Sequence, residues 1–295
     1  MCTHTMPGLR DSEIQRFRDD GFLFPVDVLT EVEAAELLDD VHSHIRDSRA
    51  EGELAASLMY GPKIHLVRRW ADRLTRHPRL LAVAGSLLGP DVMVWGTNLF
   101  LKEPNGQSDL AWHQDALSYD LTGTQERAFR VWLALTPTGP ENGTLRFAAG
   151  THRLGVLQHR RSAQLSDRQR GDEVCLDLDG YATHDVVLRP GQCSLHNMLI
   201  VHGSGFNRTR QTRISVAIDY IATSVRPAGH RPDSALLVSG RDEHRNFEPE
   251  TSLAELPAGR AGEEFERAVA MRFDRVSSAM RAQQKAGLIV PDPQR

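Results

Sequence analysis

From residue 91 onward the hydrophobic pattern of this chain repeats every second residue, and that period decides what it can fold into. Val92, Val94, Gly96, Asn98, Phe100 and Lys102 alternate with Met93, Trp95, Thr97, Leu99 and Leu101, which predicts a strand with two different faces. More strands are expected at 129–136 (FRVWLALT), 185–188, 192–195, 198–202 and 213–223. Turn chemistry separates them: PTGPENG closes one, and Arg189-Pro190-Gly191 joins two others. The chain before residue 91 has helical spacing instead. Helices are predicted over 11–20, after an Asp11/Ser12 cap signal, over 30–48, after Thr30, and over 78–88, ended by Gly89-Pro90. Residues 155–180 are polar without strand pattern and predict a lid or an inserted helical segment. Residues 261–284 predict a surface helix, and the final PDPQR a loose end. Helices first and then many short strands indicate a mainly β fold with flanking helices, a sandwich or barrel. One domain is expected over 1–295: a helical part at about 10–90, a core at about 91–225 and a C-terminal extension with a helix at about 226–295.

A chain of 295 residues buries a sizeable core without staples. Its 35 Lys and Arg nearly balance 39 Asp and Glu, for a net charge of −4. A phosphate backbone wants a basic surplus, so nucleic acid is not expected as the main partner. Cys2, Cys175 and Cys193 are odd in number and widely spaced, which argues against a disulfide framework or structural zinc and for reduced thiols. The start, MCTHTMPGLRDSE, lacks the apolar run of a signal peptide, and no stretch reaches the roughly 18 apolar residues of a membrane span. A cytoplasmic location is the expectation.

Three features carry chemistry. Trp112-His113-Gln114-Asp115 follows a strand and its loop, and His-x-Asp sets an imidazole and a carboxylate on one side of an extended segment. With 13 His and 39 acidic residues, chance alone yields roughly 1.7 such pairs, so a loop histidine beside a solvated aspartate is the plainer reading of this motif in isolation. Next, Leu199-Ile200-Val201 delivers His202 to a Gly203-Ser204-Gly205 turn. A single histidine there is more often satisfied by a backbone carbonyl than bound to a metal. Last, Arg213 opens the next strand, with Ser215 on the same face. A guanidinium grips a carboxylate through two parallel hydrogen bonds and a serine adds a third, although a strand-end arginine is usually a surface ion pair. Together the three mean more than singly. Two histidines and one carboxylate with positions left open are the set used by non-haem Fe(II) oxygenases, and an arginine one strand away offers a keto acid somewhere to dock.

These residues, in this order and spacing, resemble the phytanoyl-CoA dioxygenase (PhyH) family of 2-oxoglutarate oxygenases. The resemblance covers roughly residues 10–225: Asp20-Gly21-Phe22, the Lys102 strand, Trp112-His113-Gln114-Asp115, Val131-Trp132-Leu133-Ala134-Leu135, Glu141-Asn142-Gly143-Thr144-Leu145, Gly150-Thr151-His152, Arg189-Pro190-Gly191, His202-Gly203-Ser204 and Arg213. It implies a double-stranded β-helix, or jelly-roll, core. It implies Fe(II) on His113, Asp115 and His202, Arg213 on the distal carboxylate of 2-oxoglutarate, and O2 as the oxidant. Trp132 matches a position lining the co-substrate pocket, and Asn98 and Lys102 share the inward face of their strand with positions that touch co-substrate or substrate. Ala149 replaces a proline frequent in the family, and Ala116-Leu117-Ser118-Tyr119-Asp120 replaces a segment that often carries an aromatic pair. That segment usually faces substrate, so substrate identity does not transfer. Halogenating relatives lack the carboxylate, so Asp115 argues against chlorination.

His196 is the rival of His202; His196-Asn197 reads as a connecting turn, and Arg213 stands at the family spacing from His202. Glu141-Asn142-Gly143 reads as turn chemistry with Gly143 at positive φ, and His65, His152 and His184 as structural. The expected activity is oxidation, chiefly hydroxylation, of a C–H bond in a small molecule of secondary metabolism, with lids near 116–127 and 155–180. Two other readings use the same sandwich. One is a cupin-type metalloenzyme without 2-oxoglutarate, an isomerase or ring-cleaving dioxygenase; the other is a non-catalytic binding module. The sequence leaves the substrate and the oligomeric state open.

Overall fold

The computed structural model describes residues 7–50, 61–106, 109–119, 121–161, 172–229, 231–257 and 259–291. The helical part comprises α1 (Asp11–Asp20), α2 (Glu31–Ala50), α3 (Arg69–Thr75) and α4 (Pro78–Leu88). Thr30 and Glu33 form the reciprocal cap of α2: the Glu33 backbone N–H donates to Thr30 Oγ1 at 3.2 Å, and the Thr30 N–H to Glu33 Oε2 at 2.8 Å. In α1 the cap falls one residue earlier than expected, on Arg10, whose N–H donates to Glu13 Oε2 at 2.8 Å.

The main strands are β1 (Phe22–Asp27), β2 (Val92–Lys102), β3 (Leu110–His113), β4 (Ala128–Ala134), β5 (Leu145–Ala148), β6 (Thr183–Asp185), β7 (Gln192–Asn197), β8 (His202–Ser204), β9 (Arg213–Ala222), β10 (Ser234–Ser239) and β11 (Glu248–Pro249). Seven form one sheet in the order β1-β7-β4-β9-β2-β10-β11; four form a second, β3-β8-β5-β6. This is the jelly-roll core. The alternation read from the sequence separates the two faces of the large sheet. Leu99, Val131, Leu133, Leu195, Val216 and Ile218 point outward into one apolar cluster with Phe17, Leu37, Val41, Trp70, Leu74, Leu80 and Val83 of the four helices. The opposite face holds Lys102, Arg130, Trp132, His196, Arg213, Ser215 and Asp219, all buried. Register fixes this grouping: Arg213 pairs with Lys102, Ser215 with Phe100, Ala217 with Asn98 and Trp132, and Asp219 with Gly96 and Arg130.

Three expectations are corrected. Met198–Val201 is a turn rather than a strand, and β8 begins only at His202. Four consecutive apolar residues fill a buried turn as readily as a strand, so period alone cannot separate the two. His196-Asn197 ends β7 rather than forming the connection, because His196 pairs with both Phe22 and Arg130. In 155–180, residues 159–161 and 172–174 are paired strands instead of helix, while 162–171 lie outside the described residues. The terminal 292–295 also lie outside them.

The predicted C-terminal helix is present as α6 (Ala261–Lys285), with α5 (Ala116–Tyr119) the short helix after the His-x-Asp motif. Helix α6 is no mere surface element, since Arg272 and Arg275 are buried. The Arg272 guanidinium lies 3.3 Å over the Trp95 ring, and the Nε atoms of Arg272 and Arg275 stand 3.6 and 3.4 Å from Asp233 Oδ2. Beside them, Lys63 Nζ donates to the carbonyls of Trp95 (3.0 Å) and Ser234 (2.8 Å) and to the Glu250 carboxylate. His65 reaches Glu250 Oε2 at 2.9 Å and Thr97 Oγ1 at 2.9 Å, which bears out its structural reading. Burial pushes the Glu250 carboxyl up, but Lys63 and His65 outweigh it and hold it at about 2.

This cluster clasps the C-terminal extension to the sheet edge. Removing one partner strands the other in a dry interior, so Glu250→Ala is expected to lower stability by about 3–5 kcal/mol, read from the urea midpoint. A depressed carboxyl pKa stabilises fully above the unfolded value and loses that contribution as pH falls towards 2. The wild-type advantage over Glu250→Ala should therefore shrink on acidification.

Candidate active site

The strand β3 ends on His113 and β8 begins on His202, and the two are direct register partners. Their rings consequently meet, with centroids 4.2 Å apart. Asp115 stands two residues beyond His113. Its Oδ1 lies 3.7 Å from His113 Nε2 and its Oδ2 3.8 Å from His202 Nε2. One donor atom from each of the three falls within 4.8 Å of the others. All three are buried.

The backbone selects the tautomer that a metal needs. His113 Nδ1 donates to the Ala111 carbonyl at 2.8 Å and His202 Nδ1 to the Ile200 carbonyl at 3.1 Å. Each Nε2 then carries its lone pair toward the common point. Burial and the nearby His113 ring push His202 down to about 3, so it is neutral near pH 7. Burial alone would raise the Asp115 carboxyl, but Arg130 and the two imidazoles outweigh it and hold it well below the usual carboxylate range. Two imidazoles that turn Nε2 toward a common point and one carboxylate suit a divalent transition ion.

Arg130, which sequence reasoning did not single out, organises this carboxylate. Its Nη1 lies 2.8 Å from Asp115 Oδ2; its Nε and Nη2 donate to the two Asp219 oxygens at 2.6 and 3.0 Å; Nη2 also donates to the Tyr119 hydroxyl. The available signal was parity: Arg130 shares the inward face of β4 with Trp132, and Asp219 that of β9 with Arg213. His196 is nearby as well. Its Nε2 is 3.8 Å from Asp115 Oδ2, beyond hydrogen-bond reach, and burial pushes it down to about 4.

A cavity of about 110 Å³ runs from His113, Asp115 and His202 past Trp132 to Arg213. Arg213 is 5 % exposed. Its Nη1 donates to the Gly143 carbonyl at 2.7 Å, its Nε finds no partner, and its guanidinium sits 5.1 Å over the Trp132 ring. No carboxylate among the described residues pairs with it, and burial alone lowers it to about 10. The turn Glu141-Asn142-Gly143 thus has a task beyond reversing the chain. Gly143 adopts φ 69°, as expected, and a Cβ there would meet the Gly205 carbonyl at 2.3 Å.

Lys102 reaches the same turn. Its Nζ donates to Ser204 Oγ at 2.6 Å and to the Gly205 carbonyl. Burial, then repulsion from Arg213, pushes it down to about 7. Ser204, not singled out beforehand, lines the cavity. Ser215 is buried opposite Phe100 and Ala134, with its Oγ unpartnered. Asn98 instead lines a second cavity, on the far side of Phe100 and Arg130.

The phytanoyl-CoA dioxygenase (PhyH) family matches residues 17–215. The solved structure of ThoJ in its apo form, described as a non-heme monooxygenase, is 43% identical over 91% of this chain and 99% of that chain, with a TM-score of 0.83. A probable alpha-ketoglutarate-dependent hypophosphite dioxygenase of Stutzerimonas stutzeri is 26% identical over 65% of this chain and 68% of its own length. An L-proline trans-4-hydroxylase of Streptomyces griseoviridis is 25% identical over 78% and 92%. The chain belongs to the phytanoyl-CoA dioxygenase family and is a non-haem iron, 2-oxoglutarate-dependent oxygenase. The cupin-type and inert readings are not favoured. No helix among the described residues is long and apolar enough to cross a membrane.

His196 and His202 differ in a way that metal titration resolves. If His202 and Asp115 are ligands, His202→Ala or Asp115→Ala should weaken Fe(II) or Co(II) uptake by more than about 100-fold, and His196→Ala by about tenfold or less. Equal losses would make His196 a ligand.

Proposed function

We propose that His113, Asp115 and His202 hold the ferrous ion, that Arg213 anchors the distal carboxylate of 2-oxoglutarate, and that the enzyme oxidises a C–H bond of a small-molecule substrate, hydroxylation being the expected outcome. One observation carries the assignment: a buried guanidinium without an acidic partner closes the cavity whose other end is the His/Asp/His set. A dry cation of that kind stabilises a bound carboxylate through two parallel, charge-assisted hydrogen bonds.

An ion held by His113, Asp115 and His202, with the keto acid on Arg213, would supply O2 activation, with one oxygen atom going to succinate as CO2 leaves and the other to the substrate. The remaining work is done by this chain's side chains. Arg213 and Lys102 meet the dicarboxylate's far end, with Ser204 between them and Ser215 on the Arg213 face. Trp132 underlies Arg213 and fixes its plane. Phe100, Leu110 and Leu145 close the walls and exclude water. Arg130 keeps Asp115 ionised and oriented. Asn98 belongs to the substrate side. A single oxygenase domain over the whole chain, working in the cytoplasm on a molecule of secondary metabolism, is the setting that fits the near-neutral charge and the family.

Three measurements test this. Anaerobic Fe(II) plus 2-oxoglutarate should give a visible charge-transfer band; in Arg213→Ala, 2-oxoglutarate binding should weaken by roughly 30-fold or more, the 2–5 kcal/mol typical of a buried charge pair. An unchanged affinity would remove Arg213 from the role. Lys102 titrates near 7 in the free protein, so it is cationic below that pH and neutral above. The dissociation constant for 2-oxoglutarate should rise above pH 7, by at most about tenfold per unit, and the rise should vanish in Lys102→Met. In a substrate screen read by succinate release, a product heavier by one oxygen marks hydroxylation, and one lacking two hydrogens marks desaturation.

A further inference from the structure

We infer that the second cavity, beyond Phe100 and Arg130, is a substrate chamber selective for an uncharged molecule with a large apolar face, and that helix α6 is its selecting wall. This rests on the metal centre as read above.

The chamber holds about 370 Å³ and shares Phe100, His113 and Arg130 with the co-substrate cavity. A molecule inside it therefore lies against a metal-ligand side chain. Its outer wall is Phe273, Val276 and Met280. Their spacing of three, then four, places them on one face of α6. Leu117 of α5 and Phe100 add apolar surface to the same chamber. Phe273 is 56% exposed, a large ring left uncovered beside the opening. Helix α6 lies wholly outside the residues 17–215 that match the family, so this wall is a feature of the C-terminal extension.

The charged groups of the chamber are already committed. Asp219 takes two hydrogen bonds from Arg130, which also holds Asp115. Arg272 stacks on Trp95 and faces Asp233. Asp172 stands 3.5 Å from Arg161. Both ring nitrogens of His159 are engaged: Nε2 accepts the Gln114 backbone N–H at 3.1 Å and Nδ1 donates to the Leu157 carbonyl at 2.9 Å. Contrast Arg213 in the neighbouring cavity, buried with no acidic partner and suited to a dicarboxylate. Among the described residues, the chamber offers an incoming ammonium or carboxylate no such counter-charge. A charged substrate would give up hydration without replacement, whereas an apolar face gains from burial against α6.

The test uses full-length protein loaded anaerobically with Fe(II) and 2-oxoglutarate, and the neutral fluorophore N-phenyl-1-naphthylamine as probe. Wild type should bind it saturably. Phe273→Ala and Val276→Asp should weaken binding by about tenfold or more, a change of one decade in the dissociation constant, while Phe273→Leu stays within about twofold. The zwitterion L-proline should not stimulate succinate release. Absence of probe binding by wild type, indifference to Val276→Asp, or saturable stimulation by L-proline would each overturn the inference. The charge-transfer band, recorded on the same samples, keeps the two readings apart. Its absence from wild type sinks the metal assignment whatever the probe does; its presence beside a failed probe result sinks only the chamber.

Discussion

A single guanidinium, sealed between two carboxylates, is the contact on which the rest of the site depends. Arg130 spans from Asp219, on the neighbouring strand of the large sheet, to Asp115, on the segment that follows β3 of the opposing sheet. It therefore ties the two layers of the sandwich together at the level where the imidazoles meet. Without it, Asp115 would be a buried carboxyl under pressure to take up a proton, and a protonated carboxyl is a poor ligand. The arrangement also limits where the carboxylate can turn. Arg130 fixes Oδ2 from behind, while Oδ1 and Oδ2 stand 3.7 and 3.8 Å from the Nε2 atoms of His113 and His202, a spacing that leaves room for an ion between them. Local charge stabilisation and ligand geometry are one contact here.

That contact is possible only because β4, β7 and β9 pair without a break in register. Along β9, Arg213, Ser215, Ala217 and Asp219 face the opposing sheet, while Ile214, Val216, Ile218 and Tyr220 join the cluster under the helices. A slip of one residue would drive the two ionic groups into the apolar layer and four hydrophobes into the site. The core beneath α1 to α4 is thus more than ballast. Its apolar free energy enforces the register that aims the polar face. The irregularity in the pairing of β9 with β2, between Asp219 and Tyr220, falls where β2 carries an extra residue. There Gly96 leaves room for the Asp219 carboxylate, which a Cβ would approach to 3.0 Å.

Residues whose meaning is local were legible in the sequence. His-x-Asp needs only an extended segment, Gly143 only a left-handed turn, and β2 and β9 only a period of two; all are found as expected. What stayed hidden was defined by partners far along the chain. Arg130 and Asp219 are 89 residues apart, and an arginine in a strand reads as solvent-facing until its partner is known. The interior role of α6 was hidden likewise, since its amphipathic pattern tells that one face is covered but not what covers it. His196 was misplaced because Asn197 looks like a turn residue. In fact its side chain serves the turn, accepting the Leu199 N–H at 2.9 Å, while its backbone still pairs within β7. Ser204 was passed over for Ser215, although both are buried on the way to Arg213, because strand parity points to one and the short β8 to the other.

Charge balance explains why metal and keto acid suit this interior as a pair. Arg130 is matched by Asp115 and Asp219, which leaves one negative charge in excess, and Arg213 with a partly protonated Lys102 more than offsets it. A divalent ion alone would sharpen the positive excess, and a dianion alone would reverse it. Together they add no net charge, so each relieves the electrostatic cost of burying the other. Linkage makes that relief mutual: whatever factor the ion contributes to keto-acid affinity, the keto acid returns to the ion. The separation of the cavities then follows from the same constraint. Arg213, buried without an acidic partner, stands in the small cavity proposed for both charged guests, whereas Arg130, Asp219 and Arg272 of the chamber under α6 each lie against an oppositely charged group.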